Sequence, residues 1–126
     1  LKEVINVARC DQKIAHCLTE LGDAEGALIS AQKSLDVFVT AHDHRRETYS
    51  SFELGKAQMG LAQYEEALMT LENVLESVTE SEFKDFEFII DIERKISVTL
   101  TKLGRLDEAD EIARRLDAVV EVIDEN

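Results

Sequence analysis

The sequence contains no proline, and only five glycines are scattered through its 126 residues. Because proline breaks a helix and glycine weakens one, their scarcity favours long uninterrupted helices. No apolar run approaches the roughly 20 residues that a membrane-spanning helix requires, and the first residues carry no signal-peptide pattern. These absences predict a helical chain that does not insert directly into a membrane.

Cysteine is also scarce, since Cys10 and Cys17 are the only two in the sequence and lie on one predicted helix. Seven residues of helix correspond to a rise of about 10.5 Å, which is too long for a disulfide between the two. We therefore interpret both as small apolar residues of an intracellular protein in a reducing compartment, the cytoplasm in the first place.

Basic residues are outnumbered, with 14 Lys and Arg against 27 Asp and Glu and a net charge of −13. Such a surface repels phosphate backbones and anionic headgroups, so we expect no nucleic acid as a partner. The sequence lacks a nucleophile elbow, a glycine-rich phosphate loop and a metal-ligand cluster. His42-Asp43-His44 has no further ligand at a standard spacing, and we interpret it as a helix-capping turn. We therefore predict no enzymatic activity, no cofactor and no bound metal.

A repeated corner is the strongest positive signal. Residues 21–28, 54–68 and 103–109 each combine small corner residues with an alanine early in the following helix. The marker alanines Ala27, Ala67 and Ala109 are spaced by 40 and then 42 residues, a period typical of stacked helical repeats. The apolar spacing predicts helices at about 1–20, 24–41, 45–61, 64–79, 83–103 and 106–123.

These corners resemble the tetratricopeptide repeat, and the middle unit is the most similar through Leu54-Gly55 and Tyr64-Glu65-Glu66-Ala67-Leu68. The period exceeds the family's usual length of about 34 residues, which indicates the long-period, kinesin-light-chain-like type. The sequence departs from the family in lacking the proline after each second helix. Gln58 is also polar where a tyrosine is common.

The resemblance implies an all-α fold, a right-handed α-solenoid of three antiparallel helix pairs. The units are expected at about 1–42, 43–80 and 81–124 of a single domain that spans 1–126. Because the chain begins with Leu1 and not with Met, we expect this domain to be the C-terminal end of a longer protein.

In this family, peptides usually bind a concave groove that is lined by the first helix of each unit. Extrapolating the repeat geometry, we expect the following residues in this groove: Arg9, Gln12, Lys13, His16, Glu20, Tyr49, Phe52, Glu53, Lys56, Met59, Asp91, Arg94, Lys95, Val98 and Lys102. Six of them are basic and three are acidic. Tyr49, Phe52 and Met59 would form an apolar strip at the middle of the groove. This composition predicts a partner protein or peptide that is acidic and has an apolar anchor. The alternative is that these residues are solvated helix edges and core aromatics.

The two ends of the predicted array differ. Asp110 and Asp117 occupy positions that hold leucines in the earlier units, and a carboxylate is costly to bury alone, so the sixth helix should form a polar cap. The first helix carries an uncharged face made of Cys10, Ile14, Cys17 and Leu21, which we call the apolar flank. Either a helix from upstream chain or a second copy of the protein would cover it.

Phe83, Phe86 and Phe88 crowd the start of the fifth helix. We expect them to pack in the core between units two and three. Because three side chains so close together cannot all face one way, the alternative is that one of them is exposed as a docking residue. The sequence as a whole predicts a non-catalytic scaffold for protein–protein interaction. The alternatives are a structural self-association module and a peptide-sensing regulatory domain attached to an upstream effector domain.

Overall fold

A computed structural model describes residues 1–82 and 84–125. Within these ranges the chain forms six α-helices and no β-strand. The helices are α1 (Lys2–Glu20), α2 (Ala24–Thr40), α3 (His44–Gly60), α4 (Tyr64–Glu80), α5 (Phe86–Lys102) and α6 (Leu106–Glu125). None of these described helices is both long enough and apolar enough to cross a membrane. Phe83, which was predicted to begin the fifth helix, lies outside the described residues.

Four of the five connections are the same three-residue turn. The middle residue of each has a positive φ, which is +84° at Gly22, +56° at His42, +59° at Ala62 and +77° at Gly104. In the first turn the Asp23 N–H donates to the Leu18 carbonyl oxygen at 2.8 Å, and the Gly22 N–H donates to the Thr19 carbonyl oxygen at 3.1 Å. The other three turns repeat this Schellman pattern, which ends one helix and reverses the chain into the next.

Aspartate side chains cap three of the helices. Asp23, Asp43 and Asp85 accept hydrogen bonds from backbone N–H groups at the starts of α2, α3 and α5, at 3.0, 3.2 and 3.1 Å. Each bond satisfies a donor that has no partner inside the helix. The interpretation of His42-Asp43-His44 as a helix-capping turn is therefore confirmed by Asp43.

The helices pack in chain order, each against the next, and the first helices of the three pairs also meet. Helix α1 contacts α3, and α3 contacts α5, whereas α2, α4 and α6 do not contact one another among the described residues. The leading helices thus lie side by side along one face. This arrangement confirms the predicted all-α solenoid of three helix pairs.

The core changes in character along the array. Around α3, α4 and α5 it consists of large apolar side chains, namely Phe52, Leu68, Leu71, Val74, Val78, Ile92, Ile96 and Leu100. In contrast, α1 fully buries only Ala8 and Ala15. Small residues let the first helices approach closely, but they remove less apolar surface from water than leucine does.

Helix α6 is the outermost element, and its buried face is narrow. Ala109 and Leu116 are buried there, whereas Leu106 and Ala113 are exposed. A single stripe of α6 is covered because α5 is the only described helix that contacts α6. Asp110 and Asp117 are exposed, as expected for a polar cap.

Candidate functional site

Four of the five groove residues predicted on α1 form one exposed stripe, because their positions follow the helical repeat. The stripe consists of Arg9, Lys13, His16 and Glu20. His16 shows where this stripe lies relative to α3, since the His16 Nδ1 atom is 3.5 Å from Glu53 Oε1 and 3.3 Å from Lys56 Nζ. The stripe therefore runs beside α3, on the face where the leading helices meet.

Glu53 and Lys56 form an ion pair at the middle of this face. Lys56 Nζ lies 3.0 Å from Glu53 Oε1 and 4.8 Å from the centroid of the Phe52 ring. Both charged side chains are mostly buried, and Glu53 Oε2 accepts no hydrogen bond from the described residues. Because Glu53 compensates the Lys56 charge within the fold, this lysine adds little positive charge to the surface.

Gln12 fastens α1 to α3. Its Nε2 atom donates to the Arg46 carbonyl oxygen and to Ser50 Oγ, each at 3.0 Å. Ser50 Oγ also lies 2.9 Å from Ser34 Oγ, so the hydroxyl of Ser50 links three helices. The sequence placed Gln12 among the partner contacts, but its amide hydrogens are used inside the fold.

The aromatic residues at the junction of α3 and α5 differ in exposure. Phe52 is only 4% exposed, so the prediction that it offers apolar surface to a partner is wrong. Its ring packs edge-on against Phe88 with centroids 5.1 Å apart. Tyr49 is half-buried, stacks on Phe88 at 4.5 Å, and donates its hydroxyl to Asp85 Oδ2 at 3.3 Å. Met59 is half-buried and packs against the core.

Sequence reasoning missed Asp85 as part of this junction. The available signal was an aspartate directly before an apolar helix, which is typical of an N-cap. Because Asp85 both caps α5 and accepts from Tyr49, it sets the start of α5 against α3.

Helix α5 supplies the remaining groove residues. Asp91, Arg94, Val98 and Lys102 are exposed, and Lys95 is half-buried. Lys95 and Lys102 follow Phe88 at intervals of seven residues, so they lie on the face of α5 that meets α3. Arg94 lines a shallow groove of about 540 Å³ together with Val120 and Ile123 of α6. Arg94 is therefore turned toward α6.

A cleft of about 1150 Å³ opens between the start of α3, the end of α4 and the start of α5. Tyr49, Phe86 and Phe88 line it, and Phe86 is 67% exposed. Phe88 packs against the core as expected, whereas the exposure of Phe86 corresponds to the alternative of one exposed phenylalanine in this segment. The charged lining is mixed, with Arg45 and Lys84 among several carboxylates.

The predicted groove differs in charge from the rest of the molecule. Apart from Lys56, which is paired with Glu53, its cations with at least partial exposure are Arg9, Lys13, Arg94, Lys95 and Lys102. The exposed carboxylates in the same set are Glu20 and Asp91. These predicted positions thus carry more positive than negative charge on a chain whose net charge is −13, although the exposed carboxylates Asp85 and Glu87 line the shallow groove beside Arg94.

The apolar flank lies on the opposite side of α1 from α3. Ile14 is 45% exposed and Leu21 is 81% exposed, and both cysteines are exposed free thiols. No group of three or more His, Cys, Asp or Glu side chains among residues 1–82 and 84–125 could hold a metal ion.

Comparison with solved structures decides the fold. The crystal structure of the TPR domain of Arabidopsis FLU matches this chain with a TM-score of 0.79 and 19% sequence identity, over 93% of this chain and 97% of that one. The chain has a tetratricopeptide repeat (TPR) fold. No family model matches the sequence, and no curated protein matches it. At this identity the likeness concerns the TPR fold alone, and the kinesin-light-chain-like type stays a prediction.

Proposed function

We propose that this TPR fold is a non-catalytic scaffold that binds an acidic segment of a partner protein in its concave groove. One observation carries the proposal. Among the predicted groove residues of α1 and α5, the cations Arg9, Lys13, Arg94, Lys95 and Lys102 outnumber the exposed carboxylates Glu20 and Asp91, on a molecule whose net charge is −13. A locally positive surface attracts carboxylates, and repulsion from the remaining acidic surface steers them toward it.

The apolar residue of the partner segment would bind beside Tyr49. Because Phe52 is already buried, it gains nothing from a ligand, whereas Tyr49 and Phe86 line an open cleft next to the groove. Burial of an apolar side chain against such rings supplies most of the affinity in interfaces of this kind. The proposed ligand is therefore an extended segment with one apolar residue among several carboxylates.

A displayed library of random peptides tests this proposal. We expect the protein to select peptides in which Asp and Glu flank an apolar residue, with affinities that fall as salt rises. Arg9→Glu combined with Lys95→Glu should weaken the selected peptides by about tenfold or more, since two attractive charges become repulsive. Circular dichroism should show unchanged helicity.

The matched control reverses two cations elsewhere. Lys33→Glu with Arg114→Glu makes the same change in net charge at exposed positions on α2 and α6. It should leave peptide affinity nearly unchanged. Equal loss in both double variants, or selection of basic peptides, would overturn the proposal of a basic groove.

The exposure of the apolar flank favours self-association as a second function. Contiguous exposed apolar residues mark interaction surfaces, and Ile14 and Leu21 lie on the same face as the two thiols. We expect sedimentation velocity to show an association that Ile14→Asp abolishes. Met69→Asp, at an exposed apolar position on α4, is the control and should behave like the wild type. A monomer at every concentration would remove this second function.

A further inference from the structure

We infer that the apolar flank pairs with the same flank of a second copy in antiparallel orientation, with Ile14 opposite Cys17 and Cys10 opposite Leu21. This inference rests on the self-association proposed above. It goes further by naming the occupant of the surface and the register in which the two copies meet.

The spacing of the flank is that of a two-helix interface. Cys10, Ile14, Cys17 and Leu21 alternate at steps of four and three residues, which is the narrow seam by which one helix packs against one other helix in a coiled coil. The fully buried positions of α1, Ala8 and Ala15, lie outside this seam. The packing of α1 within its own chain therefore leaves the seam exposed.

Two-fold symmetry allows the four flank residues of one copy to be covered by the four flank residues of the other. In an antiparallel pair of identical helices, facing residues have numbers with a constant sum, and each contact occurs twice. When Ile14 faces Cys17, Cys10 necessarily faces Leu21. Every flank residue is then covered by another flank residue, whereas Val7, which lies one heptad before Ile14 and is 60% exposed, stays outside the paired region.

Charges beside the seam select this register. Lys13 and Glu20 are exposed and directly precede Ile14 and Leu21, so both lie on the same side of the seam, where they meet their counterparts in an antiparallel pair. In the proposed register, Lys13 of one copy and Glu20 of the second copy are about 3 Å apart along the helix axis. The two-fold symmetry provides this pair twice. This local attraction opposes the repulsion between two copies that each carry a charge of −13.

The alternative registers lack this match. A shift by one heptad places Lys13 beside Lys13 of the second copy in one direction, and Glu20 beside Glu20 in the other. A parallel pair would place each cysteine opposite its own counterpart, with Lys13 beside Leu18 and no ion pair.

A charge swap at the two flanking positions tests the register. Lys13→Glu and Glu20→Lys should each weaken dimerisation by roughly tenfold in sedimentation equilibrium, because each converts two attractive pairs into repulsive ones. The combination of both substitutions should restore the wild-type affinity. Lys33→Glu, at an exposed position on α2, is the single-charge control and should leave the affinity nearly unchanged.

A thiol cross-link gives a second, independent readout. In a Cys10→Ser background, Ile14→Cys places a new thiol opposite Cys17 of the second copy, and mild oxidation should give a covalent dimer whose mapped linkage joins position 14 to Cys17. A wild-type dimer linked through Cys10–Cys10 or Cys17–Cys17 would establish the parallel arrangement and overturn the inference. If Ile14→Asp abolishes dimerisation but the combined charge swap does not restore the wild-type affinity, the register would be wrong while the dimer through the apolar flank would stand. A strict monomer would remove the self-association as well.

Discussion

The left-handed residues of the turns differ in how well they suit their conformation. Gly22 and Gly104 have no Cβ atom and adopt a positive φ readily. His42 and Ala62 hold the same conformation with a side chain, at a cost of about 1–2 kcal/mol for an L-residue. The repeated turn is therefore maintained by its backbone hydrogen bonds even where the sequence does not favour it.

Replacing Ala62 with glycine should stabilise the protein. The substitution relieves the positive φ, and after the entropy cost of glycine in the unfolded chain we expect a gain of about 1 kcal/mol in the free energy of unfolding. Gly104→Ala is the reciprocal control, since a Cβ there would meet no atom within 4 Å. It should lose about 1 kcal/mol. Urea titrations measure both values, and a loss of stability in Ala62→Gly would contradict the account.

A second residue-scale prediction concerns the ion pair at the start of α6. Arg105 donates from Nη2 and Nε to the two carboxylate oxygens of Glu108 at 2.7 and 3.0 Å. These hydrogen bonds lower the pKa of Glu108, so its carboxylate contributes stability above the unfolded pKa and loses it as pH falls through the folded pKa. Arg105→Gln should raise the pKa of Glu108 toward its ordinary value. A carbon-detected NMR titration measures it, and an unchanged midpoint would contradict the role of Arg105.

At the scale of the helices, close approach between successive pairs depends on small residues. A Cβ on Gly60 would lie 2.8 Å from Ala24 Cβ, and one on Gly55 would lie 2.9 Å from Leu71 Cδ2. The end of α3 thus rests directly on the start of α2. Because Ala24 has no rotatable side chain, only a shift of the helices can relieve the clash that a larger residue at position 60 would make with it.

Gly60→Ala should therefore destabilise the protein by about 1–3 kcal/mol, despite the higher helix propensity of alanine. Ala24→Gly removes the opposing methyl group and should rescue part of that loss. In a double-mutant cycle the double variant should lose less stability than the sum of the two single variants. Chemical denaturation measures all four proteins, and strict additivity would show that the two positions do not touch.

Local signals allowed most of the helices to be predicted, and tertiary contacts limited the rest. The ends of α1 to α4 follow from caps and turns such as Asp23 and Asp43, which act within a few residues. The start of α5 at Phe86 was placed too early because the capping role of Asp85 was not recognised. Phe52 and Gln12 were assigned to the groove because one residue corresponds to about 100° of rotation on a helix. Whether a given side chain of this face is buried or exposed depends on how α3 packs against its neighbours, which the sequence pattern does not determine.

At the scale of the whole molecule, we expect Asp110 and Asp117 to keep the surface of α6 on which they lie apart from other copies. Asp110→Leu with Asp117→Leu should extend the apolar surface of α6 and increase self-association, with oligomers that grow with concentration because such a contact need not close. Asp36→Leu with Glu76→Leu is a control at exposed positions on α2 and α4. Sedimentation velocity distinguishes the two double variants. Identical behaviour would show that the two aspartates do not act as a cap.

The alanine-lined packing of α1 has a kinetic consequence. With only Ala8 and Ala15 fully buried, little free energy holds this helix in place, so it opens by local unfolding at a lower cost than α4, which buries five side chains. Its amide protons should exchange with solvent sooner than those of α4, and proteases should cut there first. A second helix packed on the apolar flank of α1 would slow both exchange and cleavage. We therefore expect the occupancy of this flank to determine how long α1 stays folded between openings.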